Sequence, residues 1–397
     1  MANELSNLSS PKIIGAALLI LLIWSISGIV ALNNISAAMP NPPKLRHLWS
    51  HEALGQVLSN PVVIGDKIVY GTLDGNLVAL SQKNGQQAWK KNFTDPIFAI
   101  SKDSQSNLYI GTGLHFNTQG QLAAIGSDTG NILWKKTLPG HMEEAASIDE
   151  NNNRIWTSGG PSGLWAINKS DGSTIYNAPL GHMDTTALLH NDILYAPAQT
   201  SEESTESNFF AIRADDGKRL WQLPLKGQPW ATPILNKENN KILSNTGIGQ
   251  IGRRKASDRG WAQAISLDGK LIWETELPDM ALAPNIYIPK NDIIIYTCKN
   301  GSIIALNAET GKEIWNTKLT TGFVAEASSL EGKNPLYLAA LSEDGILFIL
   351  ESETGNTVLS MQTNEQGASA PSIARMNNKK LLIVPTVFHI KAWEIIQ

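Results

Sequence analysis

Hydrophobic and polar positions recur along this chain in a repeat that restarts every 40 to 52 residues. In each copy an apolar pair precedes a polar turn ending in glycine, and an apolar run then ends in an aromatic residue. One copy runs from Ala79 and Leu80 through Gly85 to Trp89. Apolar residues alternate with polar ones on both sides of the turn, which is the period of a strand and not of a helix. The repeat therefore predicts strand pairs joined by tight hairpins.

The aromatic position fixes the length and number of the repeats. It is occupied by Trp49, Trp89, Trp134, Tyr176, Trp221, Trp273 and Trp315, with leucine at the eighth position, 359. A period of this length fits four short strands, as in one blade of a β-propeller. We therefore predict an all-β fold, an eight-bladed propeller over residues 45–397 with four-stranded antiparallel blades.

The two ends of the repeat region complement each other. Trp49 matches the outer strand of a blade but has no strands before it, whereas the chain ends on two strand-like runs with no outer strand after them. We predict that the segment around residues 46–50 completes the last blade. Such closure would remove an exposed sheet edge.

An uncharged apolar segment precedes the repeats. Residues 13–32 have the length that a helix needs to cross the hydrocarbon layer. We predict an N-terminal transmembrane helix there, after a tail of residues 1–12 and before a proline-rich linker of residues 33–44. A cleaved signal peptide is the alternative, because Ser36, Ala37 and Ala38 offer a small-residue cleavage site.

Charge and cysteine content exclude several classes of function. The net charge is −4, so no overall positive field attracts nucleic acid. The single cysteine, Cys298, excludes an intramolecular disulfide and a cysteine-rich zinc site. We expect Cys298 to be a small buried core residue.

The spacing of alanine, glycine and tryptophan resembles the tryptophan-docking repeat of PQQ-like (quinoprotein-type) propellers. The resemblance implies that the seven aromatic residues pack between neighbouring blades. In size and blade number the chain is similar to the BamB-like propeller subunit of the outer-membrane β-barrel assembly machinery. That subunit is a lipoprotein, whereas no cysteine stands directly after the apolar segment here.

The apolar segment predicts a membrane-anchored protein, and the resemblance implies an extracytoplasmic scaffold that binds protein partners in the cell envelope and serves envelope protein assembly. The propeller would lie in the periplasm, anchored in the inner membrane or released if the apolar segment is cleaved. We expect no enzymatic activity and no cofactor. The alternative, implied by the same family, is a PQQ- and calcium-dependent dehydrogenase or a small-ligand sensor, for which Glu143, Glu144 and Asp184 are the best calcium ligands available.

Two loops in successive blades share a Gly-His-Met motif followed by an acid, at residues 140–143 and 181–184. One interpretation is a ligand or metal site that uses His141, His182 and a carboxylate at the channel mouth. The other is that these polar residues cap inner strands and bind water. We favour the second interpretation and expect no metal.

Propeller topology places the long loops on one face, at residues 113–120, 198–208 and 246–260, where repeat proteins commonly bind partners. The last of these loops carries the densest basic cluster of the chain. Candidate partner contacts on this face are Trp230, Arg253, Arg254, Lys255 and Arg259. A solvated, flexible insertion is the alternative for these loops.

Overall fold

A computed structural model describes residues 42–115, 117–249, 255, 257–282, 285–323, 325–330 and 337–396. Within these residues the strands form eight sheets, each with four strands in its main path. Residues Leu45–Ile396 make up one compact unit. The prediction of an all-β, eight-bladed propeller with four-stranded antiparallel blades is confirmed.

The first four blades follow one another along the chain after β1 (Lys44–Glu52). Blade 1 contains β2 (Val62–Ile64), β3 (Lys67–Gly71), β4 (Asn76–Ser81) and β5 (Gln87–Asn92). Blade 2 contains β6 (Ile97–Lys102), β7 (Asn107–Thr112), β8 (Gln119–Gly126) and β9 (Asn131–Pro139). Blade 3 contains β10 (Ser147–Asp149), β11 (Arg154–Ser158), β12 (Leu164–Asn168) and β13 (Thr174–Ala178). Blade 4 contains β14 (Leu188–His190), β15 (Ile193–Gln199), β16 (Glu206–Arg213) and β17 (Arg219–Lys226).

The remaining blades repeat this order with small variations. Blade 5 contains β18 (Gln228–Pro229), β19 (Ile234–Asn236), β20 (Lys241–Ile248), β21 (Arg259–Ser266) and β22 (Leu271–Leu277). Blade 6 contains β23 (Ile286–Ile288), a 3-10 turn (Pro289–Asn291), β24 (Ile293–Thr297), β25 (Ser302–Asn307) and β26 (Glu313–Lys318). Blade 7 contains β27 (Ser328–Ser329), β28 (Tyr337–Leu341), β29 (Ile346–Glu351) and β30 (Thr357–Gln362). Blade 8 contains β31 (Ser372–Met376), β32 (Lys379–Pro385) and β33 (His389–Ile396).

The N-terminal strand completes blade 8, as predicted. The strand order of that sheet is β1, β33, β32, β31, so β1 takes the outermost place. Arg46 on β1 forms an ion pair with Glu394 on β33. Beyond β1, the backbone N–H of Ala53 donates to the carbonyl of Phe388 at 2.7 Å. The first and last parts of the propeller are therefore held in one sheet.

The apolar pair of the repeat marks an irregularity in the strand pairing. In blade 1 the register of β4 and β5 shifts between Ala79 and Leu80, directly after the pair Ala79 and Trp89. In blade 6 the shift falls between Ala305 and Leu306, after the pair Ala305 and Trp315. A small alanine thus stands opposite each large indole, and the bulge adjusts the outer strand next to it.

Each docking aromatic contacts the hairpin glycine of the next blade. A Cβ on Gly355 would lie 2.4 Å from the ring of Trp315, so only glycine leaves room for the indole. Gly355 also has φ +71°, a conformation that glycine adopts without strain. The Trp315 N–H donates to the carbonyl of Ser352 at 3.2 Å. The same contact with the following hairpin is made by Trp49, Trp89, Trp134, Tyr176, Trp221 and Trp273.

The docking residues differ in how deeply they are buried. Trp49, Trp89 and Trp315 are buried, with 8%, 9% and 8% of their surface exposed. Partial exposure is found at Trp134, Tyr176, Trp221 and Trp273. All seven lie on the outermost strands of their blades, so strand position does not account for the difference. Cys298 follows β24 and is fully buried.

The predicted transmembrane helix at residues 13–32 and most of the predicted linker lie outside the described residues. In the part of the chain that the structure does describe, no helix is long and apolar enough to cross a membrane.

Candidate functional site on the upper face

The loops singled out from the sequence meet on one face of the propeller. Loops between the second and third strands of a blade, and loops leading from an outer strand into the next blade, lie on the same side because neighbouring strands are antiparallel. We call this side the upper face. It carries residues 113–120, between β7 and β8, and residues 140–144 and 181–184, which enter blades 3 and 4.

A cluster of three histidines and one aspartate stands on the upper face, and we call it the histidine cluster. His141 Nε2 lies 3.0 Å from Asp184 Oδ1, and His182 Nε2 lies 2.9 Å from the same oxygen. His115 Nε2 lies 3.7 Å from Asp184 Oδ2. One potential ligand atom from each of the four residues lies within 4.8 Å of the others. The two Gly-His-Met loops therefore come together, and a third histidine joins them.

His115 was not among the residues predicted from the sequence. It belongs to the loop at residues 113–120, which the topology had already placed on the upper face. The loop that joins the second and third strands of one blade lies beside the loop that leads into the next blade. The position of His115 in a neighbouring loop of the same face is therefore the signal that could have paired it with His141.

The backbone around the cluster is held by hydrogen bonds between loops. His182 and Gln199 exchange two backbone hydrogen bonds, of 3.0 and 2.9 Å. The backbone N–H of Met183 donates to the carbonyl of Gly160 at 2.9 Å. Gly160 has φ +52°, and a Cβ there would lie 2.5 Å from the ring of His141. The loops of blades 3 and 4 are thus fixed to each other, and the position of His141 depends on a glycine.

The charges of the cluster are coupled through its carboxylates. Burial alone would raise the pKa of Asp184, but hydrogen bonds from His141 and His182 and the nearby His115 lower it well below its usual range. A hydrogen bond to Glu143 raises the pKa of His115 to about 9, against the opposing effect of burial. Glu143 accepts from both the backbone N–H and Nδ1 of His115, at 2.8 and 2.9 Å. Three imidazoles and a carboxylate in this arrangement can hold a proton network or a metal ion.

The mouth of the central channel holds a second group of acids. Glu144 and Glu326 line a small cavity of about 120 Å³, together with Asn60, Phe98 and Ser369. Burial raises the pKa of both glutamates to about 7. Glu326 accepts a hydrogen bond of 2.9 Å from the Asn60 amide. Both acids therefore carry a proton for part of the time near neutral pH. Glu326 was not among the residues predicted from the sequence.

The three acids suggested for calcium do not form one oxygen-rich site. Asp184 is engaged by His141 and His182, and Glu143 by His115. Glu144 faces the channel cavity and accepts a hydrogen bond from the neighbouring Ala145 N–H at 2.8 Å. Two of the three carboxylates are thus surrounded by nitrogen donors, which is not the environment that calcium prefers.

A groove of about 720 Å³ opens on the upper face between blades 4 and 5, and we call it the blade 4–5 groove. One wall is the loop after β15, with Thr200 and Thr205, and the other carries Ile248 and Trp261. The floor is formed by the ends of β16 and β17. The groove therefore lies between the two longest loops predicted for this face.

The predicted basic loop borders this groove. Lys255 and Arg259 are exposed there, whereas Arg253 and Arg254 lie outside the described residues. Arg259 approaches Glu276, with Nε and Oε1 3.6 Å apart. Trp230 follows β18 and is half-buried, and its ring N–H has no hydrogen-bond partner among the described residues.

The end of the basic loop is anchored by a buried ion pair. Lys299 Nζ lies 3.1 Å from Asp258 Oδ2, and both side chains are less than 5% exposed. Burial alone would raise the pKa of Asp258, but the backbone N–H of Lys255 and the Lys299 ammonium lower it. Removing one partner of such a pair leaves a buried charge without compensation. The pair thereby fixes the loop of blade 5 to blade 6.

Comparisons with known proteins agree with this architecture. The chain matches the family model described as outer membrane protein assembly factor BamB over residues 44–223 and 258–386. It is 24% identical over 269 residues to outer membrane protein assembly factor BamB of Moranella endobia, covering 65% of this chain and 64% of that protein. It is also 28% identical over 278 residues to quinohemoprotein alcohol dehydrogenase ADH IIB of Pseudomonas putida, covering 60% of this chain and 38% of that protein.

A solved structure extends the comparison to the whole propeller. The crystal structure of BamB from Moraxella catarrhalis superposes with a TM-score of 0.64 at 16% identity, covering 88% of this chain and 97% of that chain. At this identity the likeness concerns the fold. The chain spans less than two thirds of the length of the two sequence relatives.

Proposed function

This chain belongs to the family of the outer membrane protein assembly factor BamB, and from that premise we propose that it is a non-enzymatic scaffold for outer membrane protein assembly. The family match extends from the N-terminal strand into the last blade. We place the propeller in the periplasm, held at the inner membrane by residues 13–32 or released if that segment is cleaved. The partner is a protein of the assembly machinery.

The observation that carries this proposal is the blade 4–5 groove. Its volume of about 720 Å³ and its open form suit a segment of a partner protein. Its lining combines apolar Ile248 and Trp261 with charged Glu206 and Lys226. A tryptophan among apolar, polar and charged neighbours is typical of protein interfaces. The exposed basic residues Lys255 and Arg259 lie on the proposed surface and would favour an acidic region of the partner. The sequence prediction adds Arg253 and Arg254, which lie outside the described residues.

The dehydrogenase alternative rests on the match to the P. putida enzyme, and the channel mouth offers the test of it. Among the described residues, the cavity at the channel mouth measures about 120 Å³, below the roughly 300 to 1,000 Å³ of small-molecule sites. Its acids, Glu144 and Glu326, have pKa values raised to about 7 by burial, so each is neutral for part of the time near neutral pH. The small cavity and its partly neutral acids support the binding role over this alternative.

A substitution in the groove tests the proposal. Trp261→Ala should lower the recovery of the assembly partner from intact envelopes about tenfold or more, since interface tryptophans often contribute over 2 kcal/mol. The matched control is Leu133→Ala, which removes a side chain that is 57% exposed on the outer strand of blade 2. Partner recovery should be measured by quantitative mass spectrometry after crosslinking, with equal amounts of folded protein. Equal recovery with both variants would exclude the groove as the interface.

A further inference from the structure

The geometry points to a binding site for a divalent first-row transition-metal ion, with zinc as the best fit, held by the histidine cluster. The ligands would be His115, His141, His182 and Asp184. They come from the upper-face loops of three consecutive blades. This inference stands apart from the proposed scaffold function, because it depends only on the four side chains and their surroundings.

The separations between the ligand atoms suit a single ion. A tetrahedral zinc ion with bonds of about 2.0 to 2.1 Å places its ligand atoms about 3.3 Å apart. The contacts of Asp184 with His141, His182 and His115 are 3.0, 2.9 and 3.7 Å. The three imidazole centroids are 5.0 to 5.5 Å apart. Small side-chain adjustments would therefore bring all four ligands around one ion.

The burial of the cluster gives a second, independent indication. The side chains of His141 and His182 are each 1% exposed, and that of Asp184 is 10% exposed. The Nδ1 atoms of His141 and His182 are buried without a hydrogen-bond partner among the described residues. Protein atoms thus leave these two nitrogens to ordered water, while the Nε2 atoms of the same buried rings face Asp184 and the proposed ion.

Glu143 positions the third imidazole for a metal ion. It accepts hydrogen bonds from the backbone N–H and the Nδ1 atom of His115, at 2.8 and 2.9 Å. The Nε2 atom of His115 then faces Asp184, 3.7 Å from Oδ2, where a metal ion would take the place of its proton. A carboxylate that fixes one nitrogen while the other binds metal is common around zinc, and its loss lowers affinity about 10- to 100-fold.

The ligand set selects the class of metal. Three imidazole nitrogens and one carboxylate oxygen suit zinc, cobalt, nickel and copper, whereas calcium and magnesium prefer oxygen ligands. Four protein ligands complete a tetrahedral shell and leave no open position, so the site would be structural and not catalytic. His115, whose side chain is 37% exposed, provides the route by which an ion enters. A bound ion would link the upper-face loops of blades 2, 3 and 4.

Metal titration of the full chain in detergent tests this inference. The protein should carry no histidine tag, and it should be treated with a chelator before Zn²⁺ or Co²⁺ is added. We expect one equivalent of either ion to bind and to raise the melting temperature, while Ca²⁺ has no effect. Cobalt should give the intense visible absorption of a tetrahedral nitrogen and oxygen site.

Three variants locate the binding. His115→Ala removes the most exposed ligand and should lower zinc affinity more than 100-fold, and Glu143→Gln should lower it about 10- to 100-fold. His190→Ala, which removes a histidine outside the cluster, should bind as the unmodified chain does. The metal-free His115→Ala variant should melt close to the metal-free unmodified chain, which separates lost binding from misfolding. Failure of the unmodified chain to bind Zn²⁺ and Co²⁺, or equal binding by the His115 and His190 variants, would overturn the site.

Discussion

Deleting residues 45–50 is expected to cause the largest loss of stability, because it removes most of β1 and opens the propeller. The deletion strips blade 8 of its outer strand and exposes the edge of β33. It also removes Trp49, whose ring contacts Gly85 and whose N–H donates to the carbonyl of Gln82 at 3.0 Å. Loss of a buried tryptophan alone costs about 3 to 5 kcal/mol. The melting temperature, followed by circular dichroism, should therefore fall markedly.

The contribution of strand pairing can be separated from that of the indole. Trp49→Ala keeps the backbone of β1 and should lower the melting temperature less than the deletion does. The Arg46 to Glu394 ion pair is also retained in that variant. An unchanged melting temperature after the deletion would mean that β1 does not close the propeller.

The second large effect is expected at Trp315, at the junction of blades 6 and 7. Trp315 is 8% exposed and belongs to the same buried apolar cluster as Leu338 and Phe348 of blade 7. Trp315→Ala should lower the free energy of unfolding by about 3 to 5 kcal/mol, because it leaves a cavity between two blades. Trp273→Ala, at a half-buried docking position, should fall at the lower end of that range. Denaturant titration of both variants measures the difference.

A conservative variant separates packing from hydrogen bonding at this junction. Trp315→Phe retains most of the ring contact with Gly355 but loses the hydrogen bond to Ser352. We expect it to cost less than Trp315→Ala, with about 1 kcal/mol of the loss coming from the hydrogen bond. A cost near zero for Trp315→Ala would show that the docking contact contributes little to stability.

Local patterns allow most of the fold to be predicted from the sequence. The hairpin glycine and the aromatic position recur in seven successive copies because each of those junctions between blades is made through the same contact. Closure by β1 could be predicted because Trp49 occupies an outer-strand position without a blade of its own. The additional pairing of β18 with β20 in blade 5 was not predicted, because a two-residue strand carries no periodic signal.

The candidate site could be predicted only in part. His141 and His182 were found because their motifs repeat in successive blades. His115 has no such repeat, and it meets them only because a loop of blade 2 lies beside the entry to blade 3. Glu326 lies far from Glu144 in the sequence, and only the ring brings both to the channel mouth. Contacts made across the ring depend on the completed fold, so residue spacing does not reveal them.

The central claim is that the upper face binds a protein partner during outer membrane protein assembly. Site-specific photo-crosslinking in intact cells tests it most directly, with the photoreactive residue at Thr205 in the blade 4–5 groove. The matched control is Lys218, an exposed residue on the hairpin between β16 and β17 at the opposite end of the same blade. We predict that position 205 crosslinks to a protein of the outer membrane assembly machinery and that position 218 does not. Crosslinks from position 218 alone, or none from position 205 in cells that contain the folded protein, would contradict the claim.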